Sequence, residues 1–295
     1  MREGHLRIFL YHSRMSDVSY ALLDFGNGKR LERWGPYCLV RPDPTALGES
    51  ANPELWKSPD AEYMGEKGKG EWKMHTTLPE KWTVSFGDLQ FIVKLAPYKH
   101  TGVFPEQEYN WNWMRERSRG RTLNILNLFA YTGGATVSLA KDGHFVTHVD
   151  ASKPSITWAK ENAELNTIAS DRIRWIVEDA SVFTARELKR GKTYDAIILD
   201  PPAYGHGPSG TTWRVERDLA PLLENCAKLL SDTPAFILLN GYAQHDTAES
   251  FHRLLTGILH AQTTHKNFAI DAVELALYTQ SRKALSTGIT ARCSW

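Results

Sequence analysis

A chain of 295 residues with 42% hydrophobic side chains and a mean hydropathy of −0.41 can bury a sizeable core, which excludes wholesale disorder. Its 35 Lys and Arg against 34 Asp and Glu leave a net charge of +1, spread evenly along the chain, so binding by bulk charge is excluded. No run reaches the ~18 apolar residues of a bilayer span.

Arg7, His12, Arg14 and Asp17 interrupt the apolar stretch Met1–Tyr20, so no secretory leader is readable. Cys38, Cys226 and Cys293, scattered and odd in number, form neither a disulfide framework nor a zinc pattern. Cytoplasm is the expected compartment. Residues 18–95 read as short strands split by turns, a small β-rich domain placed at 1–95. Tyr20–Asp24 runs into Gly26-Asn27-Gly28, and Asn-Gly adopts the positive φ angles of a tight hairpin. Tyr37–Val40 follows, then a loop from Pro42 to Pro59. Trp82–Phe86 and Leu89–Val93 flank a second turn at Gly87-Asp88. Six of the ten tryptophans (Trp34, Trp56, Trp72, Trp82, Trp111, Trp113) precede residue 121, serving either as core or as stacking surfaces for a substrate.

Residues 96–121 form a connector. Its Arg115, Arg117, Arg119 and Arg121 could track a phosphate backbone or lie on a solvated linker, and Lys67, Lys69 and Lys73 beside Trp72 carry the same two readings. From residue 122 to 295 the pattern becomes strand, turn, helix, repeated. Strands are expected at Ile125–Phe129, Phe145–Val149, Ile173–Val177, Ala196–Leu199 and Ala235–Leu239. Helices are expected at Ala135–Lys141, Lys153–Asn166 (capped by Ser152) and Leu219–Leu230, with a terminal strand pair at Phe268–Leu277 and Thr287–Cys293. Such alternation builds a parallel sheet whose ligands sit at the carboxyl ends of the strands.

The unusual residues all fall on that edge. Asn127-Leu-Phe-Ala-Tyr-Thr-Gly133-Gly134 lets backbone approach a ligand and ends in a helix N-terminus, although glycines in such turns also serve packing alone. Neither G-x-G-x-x-G nor a Walker loop is present, and the Gly205–Gly210 stretch fails the latter too. Asp150 ends the second strand, where a carboxylate either accepts ribose hydroxyls or caps the next helix. Asp179 ends the third, where an acceptor could meet an adenine amino group. Ile198-Leu-Asp200-Pro201-Pro202-Ala-Tyr204 can hold the edge of a planar base while an aromatic ring stacks on its face. His144 and His148 flank a strand without a third ligand, so no metal is expected.

With those residues in hand, 121–240 resembles a class I S-adenosylmethionine-dependent methyltransferase. The combination N-x-F-A/S-Y/N-T-G-G with D-P-P-x-F/Y is similar to bacterial large-subunit ribosomal RNA base methyltransferases. Lys99-His-Thr-Gly-Val-Phe-Pro-Glu-Gln107 resembles that family's H-K-T-G-x-x-x-D-Q segment, which closes over the cofactor, with Glu106 in place of the usual Asp. The resemblance implies an α/β Rossmann-like sheet, parallel with a terminal antiparallel hairpin, plus the small N-terminal β-rich domain. It implies S-adenosylmethionine as cofactor and RNA, ribosomal first, as substrate. Cofactor contacts implied are Thr101, Phe104, Gln107, Asn127, Phe129, Tyr131, Thr132, Gly133, Asp150, Ala151, Ser152, Asp179, Ala180 and Asp200. The catalytic set is Asp200, Pro201, Pro202, Tyr204 and Asn240: Asp200 and the adjacent carbonyls orient the acceptor, Tyr204 stacks it, Asn240 assists.

Leu238–Gln244 lacks the thiol that the cytosine-C5 branch carries there, so a direct attack without a cysteine nucleophile is expected, with Gly205–Gly210 as a mobile lid. Three alternatives stay open: methylation of a protein or small molecule, a nicotinamide-dependent dehydrogenase using Asp150, and an RNA-binding protein with a non-catalytic cofactor pocket. Neither the modified atom nor the oligomeric state can be read from the residues.

Overall fold

A computed structural model describes residues 19–66, 69–207, 210–242 and 247–295. Its first hairpin, β1 (Tyr20–Gly26) and β2 (Lys29–Trp34), turns at Asn27 and Gly28 with φ of 54° and 74°, as Asn-Gly chemistry predicts. β3 (Tyr37–Pro42) pairs antiparallel with β2. A further hairpin, β4 (Ala61–Glu66) and β5 (Lys69–Met74), joins β3 in parallel, giving the order β1-β2-β3-β4-β5. This second hairpin escaped the sequence reading because AEYMGE and KGEWKM carry too few apolar residues to alternate. β6 (Trp82–Phe86) and β7 (Leu89–Val93) form the expected hairpin.

The connector is not a loop: after a 3-10 turn at Pro105–Gln107 it forms α1 (Glu108–Ser118). Beyond it come β8 (Asn124–Leu128), α2 (Gly134–Lys141), β9 (Phe145–Asp150), α3 (Lys153–Leu165), β10 (Ile173–Val177), α4 (Ala180–Lys189) and β11 (Ala196–Leu199). A small hairpin, β12 (Tyr204–His206) and β13 (Thr212–Arg214), precedes α5 (Val215–Lys228), β14 (Phe236–Gly241), α6 (Ala248–Gln262), β15 (Ala269–Tyr278) and β16 (Ala284–Ser294). Sequence reading missed α4 and α6, whose Asp179 and Thr247 caps lie beside strand ends and polar loops. The seven-stranded sheet runs β10-β9-β8-β11-β14-β16-β15, five parallel strands followed by an antiparallel pair. Strand order reverses between β8 and β11, which opens a crevice at their carboxyl ends.

Two large cores flank this sheet. One joins Trp34, Leu39, Val84 and Phe91 of the N-terminal strands to Trp111, Met114, Ile125 and Phe236. The other packs α4, α5 and α6 on the opposite face and contains Cys226 and Cys293. Five of the six early tryptophans lie in or against the first core, and Trp56 lies outside it. Trp34 and Trp111 are buried; Trp56, Trp72 and Trp82 donate their indole N–H to Asp24, the Ala96 carbonyl and the Trp34 carbonyl. Trp113 meets Phe236 edge-on. Within the arginine run, half-buried Arg115 bridges Asp88 and Asp142, while exposed Arg119 pairs with Glu116, Arg117 lies over Trp113 and Arg121 donates to the Thr233 carbonyl. Lys67 and the Met1–Val18 segment lie outside the described residues.

Glu32 organises the N-terminal strands. Buried on β2, it accepts from Arg41 at 2.6 and 2.8 Å and from the Tyr20 hydroxyl at 2.9 Å. Burial alone would raise its pKa, but Arg30 and Arg41 hold the carboxyl down at about 2. Arg41 also donates to the Lys99 carbonyl at 3.1 Å and so fixes the start of the 99–107 segment. Because the folded pKa lies below the ordinary 4.5, this stabilisation is present above that value and is lost as pH falls toward 2. Glu32→Gln leaves Arg41 buried without its counter-charge and is expected to cost ~3–5 kcal/mol near neutral pH. Urea denaturation of both proteins checks this, with the gap narrowing as pH drops below 4.5.

Candidate active site

The site grows from the turn that follows β8. Phe129 and Tyr131 hold φ of 54° and 49°, and Gly133 holds 87° as the residue preceding α2. Non-glycine residues in that region cost ~1–3 kcal/mol each, so surrounding bonds must impose the shape. Asp150 at the end of β9 does so: its Oδ2 accepts from the Tyr131 amide at 2.8 Å and its Oδ1 from the Ser152 amide at 2.8 Å. Ser152 caps α3 through its hydroxyl, so Asp150 itself is not the helix cap. Burial raises the Asp150 pKa, and beside it the Tyr131 hydroxyl is pushed up to about 12. Asn127 donates to the Thr136 hydroxyl at 2.9 Å, and Thr136 meets His148 Nδ1 at 3.0 Å. Burial pushes His148 down to about 3, so its imidazole is neutral.

A strap crosses over this turn. The Thr132 hydroxyl donates to the Gly102 carbonyl, and Gly102 (φ 98°) lies flat against Trp158 where a Cβ would collide. Phe104 stands between Tyr131 and Tyr242, at centroid distances of 5.7 and 6.2 Å. Trp111 on α1 reaches under Gly134, where an added Cβ would sit 2.5 Å from the indole. The cleft between strap and turn holds about 510 Å³ of space, open mouth included.

Phe104, Gln107, Asn127, Phe129, Tyr131, Thr132, Asp200 and Asn240 all line that cleft, together with Gly102, Trp111 and Gly134. Thr101 lies buried at the start of the strap with its hydroxyl unpartnered. Asp179 stands outside the lining: one oxygen caps α4 at the Ser181 and Val182 amides and the other accepts from Thr211. Ala180 opens that helix, and Ala151 sits between Asp150 and Ser152.

At the end of β11, Asp200 Oδ1 is buried without a partner and Oδ2 lies 3.5 Å from the Tyr242 hydroxyl. Burial, with the Glu106 charge adding to it, raises the Asp200 pKa to about 7 against hydrogen bonds from Tyr242 and Asn240. Glu106 is itself buried, unpartnered at Oε2 and raised by burial. Gln107 ties the group together: its Nε2 donates to Tyr242 at 2.8 Å and its Oε1 accepts from Asn110 and Asn240.

Two expectations about the D-P-P-A-Y corner need correction. The Pro202 carbonyl is not free, because Trp213 donates its indole N–H to it at 2.7 Å. Tyr204 does not face the cleft but lies exposed on β12; Tyr242 is the aromatic beside Asp200. Gly205 and His206 of the expected lid belong to β12, and Pro208 and Ser209 lie outside the described residues. Sequence reading missed Tyr242, Asn110 and Trp111. The only signal was position: Tyr242 follows β14 as Tyr204 follows β11, and α1 begins right after Gln107.

The buried acid group, the tight turn and the strap make a cradle for a ligand with a polar, hydroxyl-bearing end and a flat end. Comparison with known proteins agrees. A family model described as S-adenosylmethionine-dependent methyltransferase matches residues 62–248. The chain is 31% identical over 179 residues to Ribosomal RNA large subunit methyltransferase K/L of Syntrophotalea carbinolica, covering 60% of this chain and 24% of that one. For the protein of the same name from Shewanella pealeana the identity is 32% over 200 residues, covering 67% and 27%. This chain thus spans about a quarter of the length of the curated relatives it matches. A solved S-adenosylmethionine-dependent methyltransferase from Agrobacterium tumefaciens superposes with a TM-score of 0.88 and 36% identity, over 94% of this chain and 90% of that one. A Streptococcus mutans structure shares the fold, with a TM-score of 0.74 at 18% identity over 95% and 76%.

A carboxyl raised to about 7 binds protons in the folded state that the unfolded chain has released, so stability falls as pH rises from 3.8 to 7. Asp200→Asn removes that penalty. Its melting temperature is expected to exceed the wild type's by several degrees at pH 8, on the order of 2–4 kcal/mol, and to converge with it near pH 4. Calorimetric scans across that range measure the difference.

Proposed function

The chain belongs to the S-adenosylmethionine-dependent methyltransferase family, and we propose that it methylates a base of RNA, ribosomal RNA first, by direct attack of a base atom on the methyl group. Its cofactor is S-adenosylmethionine, which when bound supplies a methyl group already activated on a sulfonium sulfur. The observation that carries the reading is Asp200: a carboxylate at the end of β11 with one oxygen buried and unpartnered, lining the same cleft as Phe104, Trp111, Phe129, Tyr131 and Asn240. Such an oxygen is costly unless a substrate donor satisfies it.

The residues divide the work by place. Asp150, held at the Tyr131 and Ser152 amides, retains acceptor capacity for ribose hydroxyls. Asn127, Phe129, Tyr131, Thr132 and Gly133 shape the turn, while Thr101, Phe104 and Gln107 close it from above. Ala151, Ser152, Asp179 and Ala180 complete the cofactor's rim. Asp200 and Asn240 orient the acceptor and Pro201 stiffens the corner. The Asp200 carboxylate can take the proton released once the base nitrogen or oxygen carries the methyl group. Placement and charge complementarity then account for the rate, because the leaving sulfur needs no proton.

Direct attack fits the thiols, since Cys226 and Cys293 are buried in the core beneath α5 and β16 and burial raises both pKa values, that of Cys293 to about 12. We assign 1–95 to bracing and substrate approach, 96–121 to closing over the cofactor and 122–295 to binding it. No helix among the described residues is long and apolar enough to cross a membrane; the unpaired cysteines fit work in the cytoplasm.

Incubating the protein with S-adenosylmethionine carrying a labelled methyl group and total RNA from a strain lacking its gene is expected to label RNA. Asp200→Ala is expected to lower the rate at least 100-fold, on the scale of losing one well-placed group, while S-adenosylhomocysteine still binds. Label appearing only in protein or in small molecules would refute the RNA assignment.

A further inference from the structure

The β12–β13 hairpin is fastened to the catalytic corner on one side and bare on the other. Inward, Trp213 is buried, donates to the Pro202 carbonyl and packs 4.8 Å from the Phe129 ring. The Val215 amide donates to the Ala203 carbonyl at 3.1 Å, closing the hairpin's base. Outward, Tyr204 is 53% exposed and pairs across the strands with Arg214. The Arg214 guanidinium sits 5.9 Å from the Tyr204 ring centre. The His206 imidazole meets the same ring edge-on at 5.1 Å. A groove lined by Tyr204, Thr212, Arg214, Glu216 and Arg217 opens beside them. Arg217 is held by Asp218 and the Thr212 carbonyl, whereas the Arg214 side chain forms no ion pair among the described residues.

An aromatic ring with an open face, steadied by a cation and an imidazole, suits a nucleobase, and the unpaired guanidinium suits the adjoining phosphate. The four residue steps from Asp200 to Tyr204 span at most ~14 Å of extended chain, so this face lies next to the reacting centre. It is nevertheless separate from the cleft, where Phe104, Phe129 and Tyr131 already supply the rings. Arg115 is held by Asp88 and Asp142 and Arg121 by the Thr233 carbonyl, whereas the Arg214 guanidinium stands over the Tyr204 ring.

Resting on the RNA reading above, we propose that the outer face of this hairpin, formed by Tyr204, His206 and Arg214, docks the nucleotide adjacent to the one being methylated in a single-stranded stretch of RNA. Tyr204 stacks that neighbouring base and Arg214 meets its phosphate. Holding the neighbour while the target enters the cleft splays the two bases apart, which a single strand permits at lower cost than a duplex.

Fluorescence anisotropy with the full chain, saturating S-adenosylhomocysteine and a labelled single-stranded RNA of about ten nucleotides tests this. Tyr204→Ala is expected to weaken binding about 5- to 100-fold, Tyr204→Phe to keep it, and Arg214→Ala to weaken it and lower the salt slope by about one. Calorimetry is expected to show unchanged S-adenosylhomocysteine affinity in all three, and Arg253→Ala on α6 to bind RNA like the wild type. The proposal is overturned if wild type and variants bind the single strand alike, or if a duplex of equal length binds as tightly. A wild type that binds S-adenosylhomocysteine but no RNA overturns the RNA reading itself, and the docking face with it.

Discussion

Between β8 and α2 the backbone passes through left-handed conformations at Phe129, Tyr131 and Gly133 within five residues. Only bonds from outside the turn can hold such a path against its local preference, and they arrive from every neighbouring element. Asp150 of β9 holds the Tyr131 amide; Thr132 is bonded to the strap at Gly102; Asn162 of α3 donates to the Thr132 carbonyl at 2.9 Å. Because Gly134 admits Trp111 from α1, even the connector is seated by this turn. Strain here is the means by which a strand end, a helix start and an overlying segment share one small volume.

The same logic explains why an N-terminal module is attached at all. Asn162 accepts from the Ile92 amide, and Asn166 both accepts from and donates to Gln90, so α3 is stitched to the edge of β7. Arg41, locked by Glu32, reaches the Lys99 carbonyl. The module therefore stabilises the strap from behind, and Trp34, Trp72 and Trp82 serve that packing. Near-neutral overall charge is consistent with such a design, since cations such as Arg30, Arg41 and Arg115 are matched by buried or flanking carboxylates.

The acid group at the cleft floor shows how stability and chemistry oppose each other. Burial raises the pKa values of both Asp200 and Glu106, and a uniformly stable core would replace them. Hydrogen bonds from Tyr242 and Asn240 pull Asp200 back toward the ionised form. Gln107, which touches Tyr242, Asn110 and Asn240, ties that group to the strap.

Much of this was legible in the residues. Period and punctuation located β8 to β11, β14 and the terminal hairpin, because parallel strands buried on both faces are continuous apolar runs closed by Gly, Asp or Pro. Local chemistry also marked Asn27-Gly28, Ser152 and the D-P-P-A-Y corner, where each residue acts on its own backbone or its immediate neighbours. What only tertiary structure decided were the long-range pairings. That Tyr242 rather than Tyr204 stands beside Asp200, that the Pro202 carbonyl belongs to Trp213, and that Arg115 bridges Asp88 and Asp142 all join residues 11 to 42 positions apart. A side chain's direction off a strand end depends on what packs behind it, and that is set by the whole sheet rather than by the local sequence.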